Sequence, residues 1–600
     1  MRAWTVDADD IHVAEDFDGT LLHRTPEIDS FLDAERDDKF IVIATKGFGK
    51  TLLLKAKRIL YQADGRYVCM PSGSLLDKPI GDKIFGRESL AIFAASPLPW
   101  SKVWLAAIAL AVLKQAGDIE GLKVGPRLAA LLRDRALHGV IDHFVRLLDL
   151  TPSELQRCAA DTDGHLVPRL RAVKTPLALF IDGVDEYFNK HVEGQDGHPS
   201  ITGELAPTVW TYAQLGLVEV AYQLRRINHH VKVVAAIRKE AYAALPQLTA
   251  MAQQYRGSAV DLAYAPESLR EIFVNNVRLV KADRMVRAAL LKTSPLEAFI
   301  GRTSVTDATT RQEEDALEYL CRHTLLRPRD LMTIGERLAA LRPEERRHEH
   351  RLKEAVHAAA GEIAQEYLAE IAPTLAGAPL ERLLPRLTSS VLTRAEVEAL
   401  LEDEDADGRG GHRRALWALH RVGLLGHVQH DRIHGQWRQR FLRPGEASLE
   451  PDGALPQSTH YLVHPVLAEH LAHADPGFPA RPERTNIIGW GRPWREDAAP
   501  PDAAVVERHA AVLKADVQGF GALMQGGTDG PVRMALEAAL RAWSPAGAIV
   551  EAAAGDSVLI VADDPIALAQ AARHLIDEVY QAPGQPRLRV ALHYGAVRTR

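Results

Sequence analysis

The stretch "FIVIATKGFGKTLLLKAKR", Phe40 to Arg58, constrains this chain more than any other. A short apolar, β-branched run passes through a turn with two glycines into a pattern with helical spacing. A strand, a tight loop and a helix in that order open a layered α/β unit with a parallel sheet. Ala44 to Thr51 follows the phosphate-loop pattern G-x-x-x-x-G-K-[ST], with Ala44 in place of the first glycine. Converging backbone N–H groups and the positive end of the following helix do most of the anion binding, so the loop tolerates that change. Lys46, Gly47, Phe48 and Gly49 are expected to wrap a nucleoside triphosphate, Lys50 to reach its β- and γ-phosphates, and Thr51 to ligate Mg²⁺. The alternative is a chance Gly-rich turn ahead of an amphipathic helix.

A second segment favours the phosphate loop. In "PLALFIDGVDEYF" from Pro176, a continuous apolar run of strand length ends in Asp182, followed by Asp185 and Glu186. Strands buried on both faces read this way, and open α/β sheets bind ligands at the C-terminal tips of their strands. Asp182 is expected to hold the magnesium through water. Glu186, or failing that Asp185, is expected to polarise the attacking water. A third strand, "VKVVAAIRKEAY" from Val231, ends in Arg238, which either stabilises a γ-phosphate or forms a surface ion pair. In "HTLLRPRDLMTIGERL", Arg327 and Arg329 flank Pro328 at a helix start. They either touch the phosphates from a lid or make a helix-start salt bridge.

The chain's 600 residues call for several domains. Apolar content of 46%, charged content of 25% and a net charge of -7 are those of an ordinary soluble protein without a global nucleic-acid signature. Cys69, Cys158 and Cys321 fit no zinc or disulfide spacing, which points to a reducing cytoplasm. The acidic N-terminus lacks a signal core. "VWLAAIALAVLKQAG" from Val103 is too short to span a bilayer and reads as a buried helix.

Between about Glu345 and Leu375, Ala, Glu and Leu recur at helical spacing. Thr393 and Glu396 then form a capping box. "RRALWALHRVGLLGHV" reads as a second helix running into a strand, and "HYLVHPVLAEHL" as another strand and helix. Helix, loop, helix and hairpin resemble a winged helix, whose second helix enters the major groove in DNA-binding members. Arg413, Arg414, His420 and Arg421 give that helix a modest basic face, so the module either binds DNA or packs on the nucleotide domain. The Pro- and Gly-rich stretch from Ala474 to Ala504 reads as a linker or docking segment, in which Trp490 and Trp494 pack on a domain.

The tail from Arg508 shows a β-α-β-β-α-β order, which is ferredoxin-like. Asp516 ends its first strand and Asp556 lies in the later Gly555-Asp556 turn. Converging there, the two aspartates suit two divalent ions and an in-line displacement at phosphorus. The alternative is a generic ferredoxin-like domain.

The set "ATKGFGKT", "FIDGVDEYF", "AAIRKEAY" and "LLRPRDL", over roughly Phe40 to Ala340, resembles the STAND and AAA-type signalling ATPases of bacteria. That resemblance implies an ATP switch, homo-oligomerisation and a stress or antiviral role. Asp516, Gly519-Phe520, Gly555-Asp556 and His593-Tyr594-Gly595 resemble class III adenylyl and guanylyl cyclases. By that resemblance Asp516 and Asp556 are ligands for Mg²⁺ or Mn²⁺. Ala552 replaces the family's purine-reading lysine, and the later asparagine and arginine are absent before Arg600. The sequence therefore either continues or carries a degenerate or regulatory piece.

The expected fold class is α/β. It comprises a P-loop NTPase domain over 1–260, a helical lid or relay over 261–380, a winged-helix-like domain over 381–475, a linker over 476–506 and a cyclase-like α+β domain over 507–600. The expected protein is a cytoplasmic, non-membrane ATPase whose switch, with an unidentified protein or nucleic-acid input, controls the cyclase-like output. The alternative is a non-catalytic DNA- or protein-binding switch whose tail dimerises or binds a nucleotide.

Overall fold

A computed structural model describes residue 4 and residues 22–33, 38–70, 87–184, 206–244, 252–307, 310–371, 379–405, 411–431, 435–446, 454–475, 477–478, 486–495, 506–517, 549–552, 557–562, 569–570, 573 and 588–599. The chain divides into two compact units, Met1–Arg495 and Glu496–Arg600.

The first unit is built on a five-stranded, all-parallel sheet. Its strands are β1 (Ile41–Ala44), β2 (Val68–Cys69), β3 (Leu177–Ile181), β4 (Val231–Arg238) and β5 (Ala259–Asp261), in the order β2-β3-β4-β1-β5. Every residue of β1 and β3 is buried, as parallel strands covered on both faces require. The arrangement is α/β and compatible with a P-loop-like domain. β4 lies between β1 and β3, with Ala44 opposite Arg238 and Ile181 opposite Ala235. Three of the strand tips read from the sequence thus lie side by side on one edge.

The apolar segment from Val103 is the core of a buried helix, Leu98–Ala116. Residues Val103 to Leu113 are all buried, because a helix apolar on every side has no face to give to water. The Ala206–Ile227 helix packs against it at Gly216, where a Cβ would lie 2.6 Å from that of Trp100. Among the described residues no helix is long and apolar enough to cross a membrane.

After the sheet, the Pro328–Ala340 and Glu349–Ile371 helices share an apolar core with helices and strands of the following module. That module contains β8 (Val391–Thr393), the Arg394–Asp405 and Gly411–Arg421 helices, β9 (Leu425–Asp431), β10 (Gln436–Arg440), β11 (His460–Val463) and the Pro465–Ala474 helix. Its antiparallel sheet has the order β10-β9-β11-β8. Residues β6 (Ser304–Thr306) and β7 (Glu313–Asp315) form a separate two-stranded ribbon.

One expectation about this region changes, and one alternative is decided. His420 does not join a basic face, because it is turned into the core at 2% exposure. Burial pulls its imidazole down to about 4, so it is neutral at pH 7. The exposed cations Arg413, Arg414 and Arg421 remain, and Arg421 lies over the Trp417 ring. Of the segment read as a linker or docking stretch, residues 486–495 dock. The Gln439 amide donates to the carbonyl of Ile487, the backbone N–H of Trp494 donates to the carbonyl of Trp437, and the Trp494 side chain joins Val428, Phe441 and Leu462 in a small core.

The second unit is a four-stranded antiparallel sheet in the order β13-β14-β12-β15. Its strands are β12 (Val506–Val517), β13 (Ile549–Ala552), β14 (Ser557–Ala562) and β15 (Leu588–Thr599). The register sets Asp516 opposite Ser557 and Arg589.

Candidate functional site

The loop after β1 is shaped by its glycines. Gly47 and Gly49 hold φ of 81° and 86°, a left-handed conformation that strains any residue with a Cβ. Gly49 caps the Lys50–Asp64 helix, so the turn delivers Lys50 and Thr51 to that helix's first positions. Gly47 is also where the distant Pro328–Ala340 helix arrives. A Cβ on it would sit 3.1 Å from that of Arg329, and the Arg329 N–H donates to the Gly47 carbonyl at 3.2 Å. The Phe48 ring stacks on Tyr264.

Thr51 meets the second motif. Its hydroxyl donates to the Asp182 carboxylate at 2.6 Å, joining residues 131 positions apart. The other Asp182 oxygen accepts from the Gly183 N–H at 2.9 Å. A hydroxyl and a carboxylate this close, at the C-terminal edge of a parallel sheet, form a hard-oxygen donor pair of the kind magnesium takes together with water and phosphate. The Lys50 ammonium lies over the loop, donating to the carbonyls of Ala44 at 3.2 Å and Thr45 at 3.1 Å. These residues fit Mg²⁺ and a triphosphate in chemistry and in placement.

The other cations of the edge are held by two carboxylates of the Glu349–Ile371 helix. Glu366 pairs with Lys46 at 2.9 Å and with Arg329 at 3.8 Å. Glu370, one turn on, pairs with Arg238 at 3.1 Å and with Arg327 at 3.5 Å. Burial raises the Glu366 carboxyl, but Lys46, Arg327 and Arg329 together bring it below its ordinary value. Arg238 is 3% exposed, so its ion pair is an interior one.

Arg327 makes the helix-start salt bridge, with Asp330 at 3.1 Å, and also reaches the loop, its guanidinium lying 3.5 Å from the Lys46 carbonyl. It also lies 3.5 Å from the Tyr367 ring centroid. Burial opposes the charge on Arg327, and Asp330, Tyr367 and Glu370 outweigh it, so the guanidinium stays charged. Burial likewise raises the Asp330 carboxyl against the pull of Arg327.

The site also has a wall from the later module. Gly445 comes so close that a Cβ would lie 2.6 Å from Thr45 Cγ2 and 2.8 Å from Lys239 Cδ. Glu240 lies open to solvent beside β4, yet enough protein surrounds it to push its carboxyl upward, against Arg238. The sequence reading missed Glu366, Glu370, Asp330 and Tyr264. For Asp330 a signal existed, since "RPRD" places a carboxylate one helical turn beyond Arg327.

Lys46, Gly47, Phe48, Gly49, Lys50, Thr51, Asp182, Arg238, Arg327 and Arg329 therefore gather at one edge of the sheet. Asp185, Glu186 and Asp556 lie outside the described residues. Asp516 is placed by strand register alone, with its partner strand β14 beginning at Ser557. Comparison with protein-family models, with curated proteins and with solved structures gives no match.

Proposed function

We propose that the chain is an ATP-binding and ATP-hydrolysing signalling protein of the P-loop class. The observation that carries this reading is the Thr51–Asp182 contact at the C-terminal edge of a parallel sheet. Two motifs read independently from the sequence are joined there by the atoms that magnesium requires. Lys50 and the start of its helix would hold the β- and γ-phosphates, and bound Mg²⁺ would offset their charge. Glu186 would orient the attacking water, with Asp185 as the alternative. Arg238 and Arg327, already inside, would stabilise charge developing on the γ-phosphoryl oxygens.

Glu366 and Glu370 give the switch its physical basis. A triphosphate and these carboxylates compete for Lys46, Arg238, Arg327 and Arg329. Binding of nucleotide would release the Glu349–Ile371 helix from the loop, and the module containing Gly445 would sense the change. The winged-helix-like module is then a relay rather than a DNA reader, which the burial of His420 and the close approach of Gly445 to Thr45 favour.

The tail is the proposed output, a ferredoxin-like, class III cyclase-like domain with Asp516 and Asp556 as metal ligands. Its strand order and the register of Asp516 beside the start of β14 support that reading. The test is to incubate the full chain with ATP or GTP, with Mg²⁺ or Mn²⁺, and resolve every nucleotide product. Diphosphate and phosphate are expected from the P-loop site, and a 3′,5′-cyclic nucleotide with pyrophosphate from the tail. Hydrolysis without cyclic product leaves the tail a dimerising or nucleotide-binding part. No turnover at all contradicts the ATPase reading.

A further inference from the structure

A second polar cluster lies away from the sheet edge, where three helices meet. His323 ends the Ala316–Arg322 helix, His357 projects from the first half of the Glu349–Ile371 helix, and Glu469 comes from the Pro465–Ala474 helix. One ligand atom from each lies within 4.8 Å of the other two. They line a cavity of about 160 Å³ that also takes in Tyr319 and Arg322. We propose that His323, His357 and Glu469 form a binding site for a divalent transition-metal ion of the zinc class, pinning the last helix of the later module to the relay helices.

The orientation of the two imidazoles carries the argument. Tyr319 holds both. Its backbone carbonyl lies 2.8 Å from Nδ1 of His323, which fixes the proton there and leaves Nε2 as the lone-pair nitrogen. Its phenol lies 2.9 Å from Nε2 of His357, whose Nδ1 lies 3.2 Å from a Glu469 oxygen. Metal-binding histidines are aimed in this way, one nitrogen held by a carbonyl or hydroxyl and the other turned to the ion. On metal binding the neutral His357 changes tautomer: it gives up its Nδ1 proton and takes one from solvent on Nε2, so that Nδ1 offers a lone pair and Nε2–H donates to the Tyr319 oxygen with no net loss of a proton. Two imidazoles and one carboxylate, with water in the fourth place, suit tetrahedral zinc.

The surrounding charges leave room for a cation. Arg322 is held by Asp307 and Glu314, each at 2.8 Å, and Lys353 by Glu349 at 2.7 Å. Burial keeps both imidazoles unprotonated at neutral pH, with His357 pulled down to about 4. Burial also pushes Glu469 up to about 7, a penalty that a bound cation would remove. Ligand atoms around a tetrahedral ion stand roughly 3.3 Å apart, so the cluster must contract. His357 and Glu469 are partly exposed, so the contraction falls on them, while the fully buried His323 serves as the anchor.

The test uses the full chain, stripped with chelator and titrated with Zn²⁺ against a chromophoric competitor in excess Mg²⁺. The parent is expected to bind one tight equivalent, which His357→Gln and Glu469→Gln each lose. Tyr319→Phe should keep that equivalent at about 10-fold lower affinity, the cost of losing a supporting hydrogen bond. Co²⁺ should give the parent, but not Glu469→Gln, the intense visible bands of a tetrahedral site. Zinc should raise the melting temperature of the parent more than that of Glu469→Gln, whose isosteric amide keeps the packing. Equal zinc binding by all four proteins would mean adventitious surface histidines and overturn the site. So would the absence of a tight equivalent in the parent.

Discussion

The two ends of the Glu349–Ile371 helix use polar side chains in opposite ways. Toward its C-terminus, Glu366 and Glu370 each hold two cations of the loop edge. Nearer its N-terminus, His357 is neutral, hydrogen-bonded to Tyr319 and 3.2 Å from a Glu469 oxygen. The difference follows from what faces each end. Fixed cations keep a carboxylate charged despite burial, whereas an imidazole buried beside Arg322 gives up its proton. One helix thus carries a charged end against the loop and a neutral end against Tyr319.

The largest effect should come from breaking the charged end at its most buried member. Arg327→Ala removes the partner of Asp330, which is 1% exposed. An uncompensated interior carboxylate costs about 3–5 kcal/mol, to be read as a lower denaturation midpoint in urea. A loss below about 1 kcal/mol would mean that Asp330 takes up a proton without penalty.

Acid should separate the two kinds of cluster. Burial lowers His143, His357, His420 and His427 to about 4, and His464 to about 3. In the unfolded chain these imidazoles bind protons from about pH 6.5 downward. Below that pH the unfolded state takes up more protons than the folded one. Stability present above pH 6.5 is therefore lost progressively as pH falls toward about 4, by a few kcal/mol in sum. Glu469, raised to about 7, works the other way between pH 7 and its ordinary value, but it is one group against five. Unfolding measured at pH 7.5, 6 and 5 should show a falling midpoint. A flat profile would mean that these histidines are not buried as described.

A smaller effect sharpens the charged end. Glu366→Gln and Glu370→Gln remove competitors of the phosphates without removing volume. Each should tighten MgATP binding by several-fold, roughly 1 kcal/mol. Weaker binding would mean that the carboxylates position the arginines rather than compete with phosphate.

The comparison also marks what the sequence could reveal. Lys50, Thr51 and Asp182 were legible because strand, loop and strand tip each carry a local signature. Ala44 hid nothing, since the positive φ that the loop needs falls on Gly47 and Gly49. Glu366 and Glu370 were not legible, because carboxylates in an Ala-, Glu- and Leu-rich helix look like any solvated face. His323, His357 and Glu469 follow no ligand spacing, and only the packing of three helices brings them together. His420 misled because a histidine among arginines reads as basic until burial removes its charge.

The central claim is that the edge built by Lys50, Thr51 and Asp182 holds a magnesium nucleotide. Calorimetric titration of the full chain with MgATP, beside a Lys50→Ala variant of the same fold by circular dichroism, tests it most directly. One binding event in the parent, weakened at least about 100-fold in Lys50→Ala by loss of a charge-assisted phosphate contact, is the expected result. Equal affinity in the two proteins, or no binding by the parent, would contradict it.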